Sequence, residues 1–322
     1  MASLKLSEEN ELPINLEDLP NFKLKNSESD PLLAQQDEMA TAKQFIKDLQ
    51  TLLLAKKNPT AKDDLLNLYD FSFNKISATV FKSTAWPTPQ EIEESDDTLE
   101  FEINTILLYQ ELCFRHQYAR LNATFNQEIR VKSWENYLEI FRVIALDREE
   151  INLPVLWIYD ILDEFLYQFQ TGCQWRAKIK AEDSLYQEII NNPEAIFWNL
   201  EEIHAILREL IEKSQILKKK DDHFYLDDFG NNTRTIHYFG YFSLVTLLRL
   251  NILMGKYEEA LQIIDPIDYK NLNIYCKAYA CYINLFYYAG FAYLMTGRYQ
   301  ETVKIFEALL SFMNKYKQFY SK

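Results

Sequence analysis

The stretch LWIYDILDEFLYQFQTGCQWRAK, residues 156–178, sets Asp160, Asp163 and Glu164 among six aromatic residues. Carboxylates at i, i+3 and i+4 share one side of a helix, where such groups serve general acid–base catalysis or hold a metal ion. At ~100° per residue, Trp157, Ile158, Ile161, Leu162, Phe165, Leu166 and Phe169 fill an arc of ~180°, with Asp160, Asp163, Glu164, Tyr167 and Gln170 opposite. A carboxyl group works as an acid near neutrality only when burial or a like charge raises its pKa. The wheel places these acids away from the apolar wall, so the expectation is a solvated or partner-facing polar face. A ferritin-like metal centre needs Glu-x-x-His partners on facing helices, and no such motif is expected here.

Other chemistry is equally thin. His116, His204, His223 and His237 are scattered, without H-x3-H or H-E-x-x-H spacing. His116 falls opposite the apolar stripe expected for its helix and is expected to be exposed. Cys276 and Cys281 lie five apart, which is neither a C-x-x-C redox pair nor a zinc knuckle. No phosphate-binding glycine loop and no G-x-S-x-G occurs. The expectation is a chain that is not an enzyme and takes no cofactor, metal or small-molecule substrate.

The elements that would position these residues are helices. Only 6 glycines occur in 322 residues, too few for a hairpin-rich or dinucleotide-binding fold. Beyond residue 90 the prolines are Pro154, Pro193 and Pro266 alone. A formal charge of −14 disfavours broad binding to a phosphate backbone. Small basic groups (Arg176, Lys178 and Lys180; Lys218, Lys219 and Lys220; Lys304, Lys315, Lys317 and Lys322) still allow local RNA contact. No apolar run approaches the ~18–20 residues of a membrane span, and four cysteines in so long a chain suit a reducing compartment.

Residues 1–40, with nine acids and three lysines, are expected to be an acidic, mostly disordered tail that docks on a partner through Leu16, Leu19 and Phe22. Helix is expected from about 41 to 83. The segment WPTPQEIEESDDTLEFE, carrying seven acids and no base, is expected to be a solvated linker. Beyond it, Ile103, Ile106, Leu107, Phe114, Tyr118 and Leu121 fall within ~120° and predict the buried stripe of the next helix. Further helices are expected at about 132–146, 155–170, 182–191 and 194–217, then a loop over 218–233 and helices from about 235.

The last part repeats itself. LMGKYEEALQII from Leu253 and MTGRYQETVKIF from Met295 match at an offset of 42, pairing Gly255 with Gly297, Tyr257 with Tyr299, Glu259 with Glu301 and Ile263 with Ile305. Each glycine is expected between two helices of a hairpin, and such hairpins stack into solenoids that bind other proteins.

Four segments together resemble one family, subunit L of eukaryotic translation initiation factor 3. They are ILLYQELCFRHQYARL (106–121), LPVLWIYDILDEFLYQFQTGCQWRAK (153–178), HYFGYFSLVTLLRLNILMGKYEEALQII (237–264) and YYAGFAYLMTGRYQETVKIFEALL (287–310). The DEFLYQFQ and GYFSLVTLLRL blocks are specific, whereas the G-x-Y-x-E turn is shared by many helical-repeat proteins. The resemblance implies an all-α, right-handed helical-repeat solenoid of TPR-like and PCI type. It also implies a non-catalytic, cytoplasmic scaffold subunit that supports assembly on the small ribosomal subunit and mRNA recruitment, with subunits K, E and C as neighbours. The expected parts are the tail (1–40), an N-terminal helical segment and acidic linker (41–97), a helical-repeat region (98–228) and helical hairpins leading into a PCI domain (229–322). In the family that domain continues past the position of Lys322, so the winged-helix part is expected to be lacking. Candidate interaction residues are Trp157, Asp160, Asp163, Glu164, Tyr167, Phe169, Tyr257 and Tyr299. The rivals are a scaffold of the proteasome lid or signalosome, and a metal-dependent hydrolase.

Overall fold

Helix is the state this sequence can satisfy locally, and helix is what the computed structural model contains. It describes residues 31–55, 60–96, 98–121, 127–145, 151–179, 198–217, 235–264 and 278–315, and no strand occurs among them. The elements are α1 (Pro31–Leu54), α2 (Ala61–Leu66), α3 (Phe73–Thr79), α4 (Pro89–Glu94), α5 (Ile103–Arg120), α6 (Gln127–Ile140), α7 (Val155–Arg176), α8 (Leu200–Ser214), α9 (Thr235–Leu253), α10 (Tyr257–Ile264), α11 (Tyr279–Met295) and α12 (Tyr299–Lys315). A π-helical turn, Asn67–Ser72, joins α2 to α3, and another, Phe141–Ala145, extends α6. Residues Met1–Asp37 form one unit and Glu38–Lys322 a second, and the packing below belongs to the second. The expected tail before residue 31, the helix at 182–191, the loop at 218–233 and Lys180, Lys218–Lys220, Lys317 and Lys322 lie outside the described residues.

The acidic segment is a packed element and not a loose linker. Thr88 caps α4 in a reciprocal capping box with Glu91, and Pro89 sits where a missing N–H costs nothing. Trp86, ahead of the acids, and Ile92, between them, are buried, while Lys43 of α1 reaches the Ser95 carbonyl at 3.2 Å and Asp96 at 3.9 Å. Glu91, Glu94, Glu100 and Glu102 do face water, but Trp86 and Ile92 join the core and Leu99 and Phe101 pack against it.

The stripe expected for α5 is only part of its covered surface: Leu107 is buried and Ile106, Phe114, Tyr118 and Leu121 are half-buried, but the opposite side is covered too. Thr105, Leu108, Tyr109, Leu112 and His116 are buried, and Ile103 is exposed. Tyr109 donates to the Pro87 carbonyl on one side, and Asn136 of α6 donates to the Leu107 carbonyl on the other. A helix covered from two directions has no single apolar stripe for periodicity to find. His116 is buried for the same reason, its Nε2 3.0 Å from the Thr84 carbonyl oxygen.

Aromatic rings carry the core from helix to helix. Tyr69 stacks on Trp157 at 4.7 Å, Trp134 on Phe165 at 4.4 Å, and Tyr159 meets Phe242 edge-on at 5.3 Å. Such pairs add about 0.5–1.5 kcal/mol each beyond burial of their area. Helix α9 is the hub, packing on α7, α8, α10 and α11. It is long and apolar enough to cross a membrane, more so than the sequence reading allowed, yet 78% of that window is buried inside the protein.

The repeated turns are alike in detail. Gly255 and Gly297 have φ of 74° and 75°, where a Cβ would be strained. Lys256 N–H bonds the Asn251 carbonyl and Gly255 N–H the Ile252 carbonyl. Arg298 to Tyr293 and Gly297 to Leu294 repeat the pattern 42 residues later. These are Schellman ends, which satisfy the last carbonyls of α9 and α11. Arg298 then ties the second turn to the first through Glu258 at 2.9 Å.

Candidate interaction face around helix α7

Helix α7 is buried along its apolar arc and partly covered along its polar arc. Its apolar arc is core, including Trp157 and Phe169, so these two candidates are not available to a partner. Its polar arc is divided between earlier and later helices.

Asp160 points back toward α5 and the π-helical turn. It accepts from the Tyr69 hydroxyl at 2.5 Å and lies 3.7 Å from Arg115, whose guanidinium covers the Tyr69 ring. Arg115 Nε donates to Glu111 at 3.0 Å. Glu111 is wholly buried and also accepts from Tyr137 Oη and Trp157 Nε1, each at 3.0 Å. A buried carboxylate is tolerated only when paired and hydrogen-bonded, and Glu111 is both. Sequence reasoning missed Glu111. The i, i+4 pairing with Arg115 was visible, but such pairs are common on exposed helices.

Burial acts on the neighbouring acids. It pushes the Asp160 carboxyl up to about 6, partly opposed by Arg115 and the Tyr69 hydrogen bond. It pushes Glu164 up to about 7, with Arg115 opposing and Glu111 adding to the rise. The expectation that no apolar surroundings desolvate these acids is therefore corrected for Asp160 and Glu164, because their part of the polar arc of α7 meets other helices.

Asp163 and Gln170 point forward. Arg249 of α9 donates to Asp163 Oδ1 at 2.6 Å and to Gln170 Oε1 at 2.7 Å, and its guanidinium lies over the Tyr288 ring of α11. Asn284 of α11 reaches Tyr159 Oη at 2.5 Å and Asp163 at 3.4 Å. Thus α7 is wired to α5 behind it and to α9 and α11 ahead. Tyr167 remains half exposed at 49%. Of the repeat tyrosines, Tyr257 packs edge-on against Phe291 of α11, whereas Tyr299 is open to solvent.

A cleft of about 990 Å³ between α8, α9 and α10 is lined by His204, Arg208, Lys256, Leu244, Leu247 and Ile263 among others, and none of the α7 acids faces it. Glu201 and His204 have Glu-x-x-His spacing there, once. Among the described residues no three His, Cys, Asp or Glu side chains converge as metal ligands would. Of the basic residues, Arg176 is drawn inward, donating to the Trp198 carbonyl at 3.3 Å.

Residues 129–322 match the model of a family described as RNA polymerase I-associated factor PAF67. Curated proteins named eukaryotic translation initiation factor 3 subunit L are similar along more of the chain. The one from Anopheles gambiae is 32% identical over 267 residues, covering 80% of this chain and 49% of that protein. Those from Drosophila yakuba and Drosophila willistoni are 34% and 35% identical over 269 residues, with the same coverage. The chain spans about half the length of the curated relatives it matches.

Proposed function

This chain belongs to the PAF67 family, whose curated relatives here are named subunit L of eukaryotic translation initiation factor 3, and we propose that it acts as a non-catalytic scaffold subunit of that factor. The observation that carries the proposal is the wiring of α7. Asp160 and Asp163, two of the three acids that could have formed an active site, are engaged with Tyr69, Arg115 and Arg249, which supports reading them as parts of a frame. Raised carboxyl pKa values do mark many active sites, but buried ion-pair networks raise them too. Here both raised acids lie away from the cleft.

In this reading the chain is cytoplasmic and works by surface complementarity. Its neighbours are subunits K, E and C and the small ribosomal subunit, with local RNA contact through exposed lysines. Residues 41–97, 98–228 and 229–322 are its working parts, and Tyr167, Tyr299 and the open edge of Asp163 are its contact points. The test is an affinity pull-down of tagged chain from a eukaryotic lysate, read by mass spectrometry with and without RNase. Stoichiometric recovery of initiation-factor-3 subunits that survives RNase is the expected result. Recovery of RNA polymerase I subunits in their place would overturn it in favour of the association in the family's description.

A further inference from the structure

The cleft between α8, α9 and α10 has an apolar end and a polar end. Gly240, near the start of α9, lies against Ser214 at the end of α8. Lys256, just past the end of α9, acts on the His204 ring near the start of α8. The two helices therefore run antiparallel, with Ile211 across from Leu244 and His204 across from Asn251. Ile211, Leu244 and Leu247 are buried and form the floor. Asn251 closes the polar end and is 5% exposed. Among the described residues its side-chain amide has no hydrogen-bond partner, whereas the buried Asn136 amide donates to a carbonyl. Buried polar groups are hydrogen-bonded almost throughout folded proteins, so an unpartnered amide lining a cavity marks a place for a ligand group.

The charge at that end is set by cations. Arg208 lies one turn beyond His204, lines the same cleft and has no ion pair among the described residues. Lys256 is held by Glu259 at 3.6 Å. Burial, then Arg208 and Lys256, keep the His204 imidazole below its ordinary value, with Glu259 opposing. Glu201 and Glu212 also border the cleft, and neither pairs with Arg208. The floor decides what kind of body fits beside these cations. A polypeptide laid along it, whether a loop of this chain or a segment of another, brings an N–H and a C=O with nearly every residue. Ile211, Leu244 and Leu247 can pair with neither, and each group left unpaired costs about 1–3 kcal/mol. An alkyl or aryl body carries no such groups. The volume, about 990 Å³, is at the upper end of the ~300–1,000 Å³ of small-molecule sites.

We propose that this cleft binds a small organic acid, its apolar body on Ile211, Leu244 and Leu247 and its carboxylate between Arg208 and the Asn251 amide. The acid is held and not transformed, so it is an effector or a resident ligand and not a substrate. Seated there it braces α8 against the α9–α10 hairpin. Nothing in this depends on which assembly the chain joins.

The probe is octanoate, titrated calorimetrically into the full chain. Saturable one-to-one binding is expected, weakened about tenfold or more by Arg208→Ala, the worth of a charged hydrogen bond, and largely kept by Arg208→Lys. Octanol, which lacks the charge, should bind weaker by a similar factor. Glu209→Gln, outside the cleft and paired with Lys213, should change nothing. Arg208 is exposed, so its variants should melt with the parent and keep a loss of binding interpretable. No saturable binding, binding indifferent to Arg208→Ala, or octanol binding as well as octanoate, overturns the proposal. A peptide with a free carboxyl-terminal leucine that binds where octanoate does not also overturns it, because the cleft is then a docking groove for another chain.

Discussion

The junction of α5 with α7 and the hairpins from α9 to α12 are both wholly helical, yet they cohere by opposite means. At the junction, Glu111, Arg115, Asp160, Tyr69, Tyr137 and Trp157 satisfy one another across up to 91 residues of sequence. In the hairpins the specification is local: a glycine at positive φ, two backbone bonds and an apolar stripe, repeated 42 residues on. A local rule can be copied, and copying it extends an array. A cluster that closes only when distant residues meet fixes one arrangement and stands or falls as a unit.

The largest effect should come from the junction. Glu111→Ala leaves the Arg115 cation with only the longer contact to Asp160 and the Tyr69 ring, and takes the acceptor from Trp157 Nε1 and Tyr137 Oη. Breaking a buried pair on one side costs about 3–5 kcal/mol, and urea unfolding should register that loss. A cost below about 1 kcal/mol, the range of surface pairs, would remove the contrast between the two regions.

A second test concerns the acids beside that pair. Ordinary carboxyl values of 3.8 and 4.5 become about 6 for Asp160 and about 7 for Glu164 in the folded chain, burial being the largest cause in each. The folded state then binds more protons than the unfolded state across this window, so stability falls as pH rises from about 4 to about 7. Glu164→Gln removes one of the two acids. Its Tm should match the parent near pH 4 and exceed it increasingly up to pH 7 and beyond. A constant Tm difference across the range would show that Glu164 is solvated after all.

How much of this was legible follows from the same contrast. The repeat turns, the apolar arc of α7 and the all-helical class could be read because each depends on residues within a turn or two of one another. The buried side of α5 and the fate of the α7 polar arc could not. A helical wheel assumes one wet side, whereas α5 lies between Pro87 and α6, and α7 lies between α5 and α9. In the sequence, Glu111 is one half of an i, i+4 spacing with Arg115 of the kind common on exposed helices. What sets it apart is Trp157, 46 residues away, which no local window contains.

In the hairpins the two glycine turns should behave as equals. An added Cβ would meet nothing within 4 Å at Gly255 or Gly297, so the cost of Gly→Ala is that of the backbone conformation alone. Each substitution should lower stability by about 1 kcal/mol, and the two should add to within the small worth of the exposed Arg298–Glu258 pair that joins the turns. Unequal costs would mean that one turn carries a contact the other lacks.

The smallest effect belongs to the pair that joins the two regions. Asp163 is 41% exposed and Arg249 14%, so their contact at 2.6 Å is partly screened by water. Asp163→Asn keeps a side-chain oxygen for Arg249, which also retains Gln170 and the Tyr288 ring. The expected loss is that of a half-exposed ion pair, about 0.5–1 kcal/mol. Salt then separates the two kinds of charge. Raising ionic strength from about 0.01 M to about 1 M shortens the screening length from ~30 Å to ~3 Å. The gap between parent and Asp163→Asn should close over that range, while the gap for Glu111→Ala should hardly move, because no salt reaches a carboxylate enclosed by Arg115, Tyr137 and Trp157. If both gaps closed together, Glu111 would be as wet as Asp163, and the junction would be no different in kind from the surface of the hairpins.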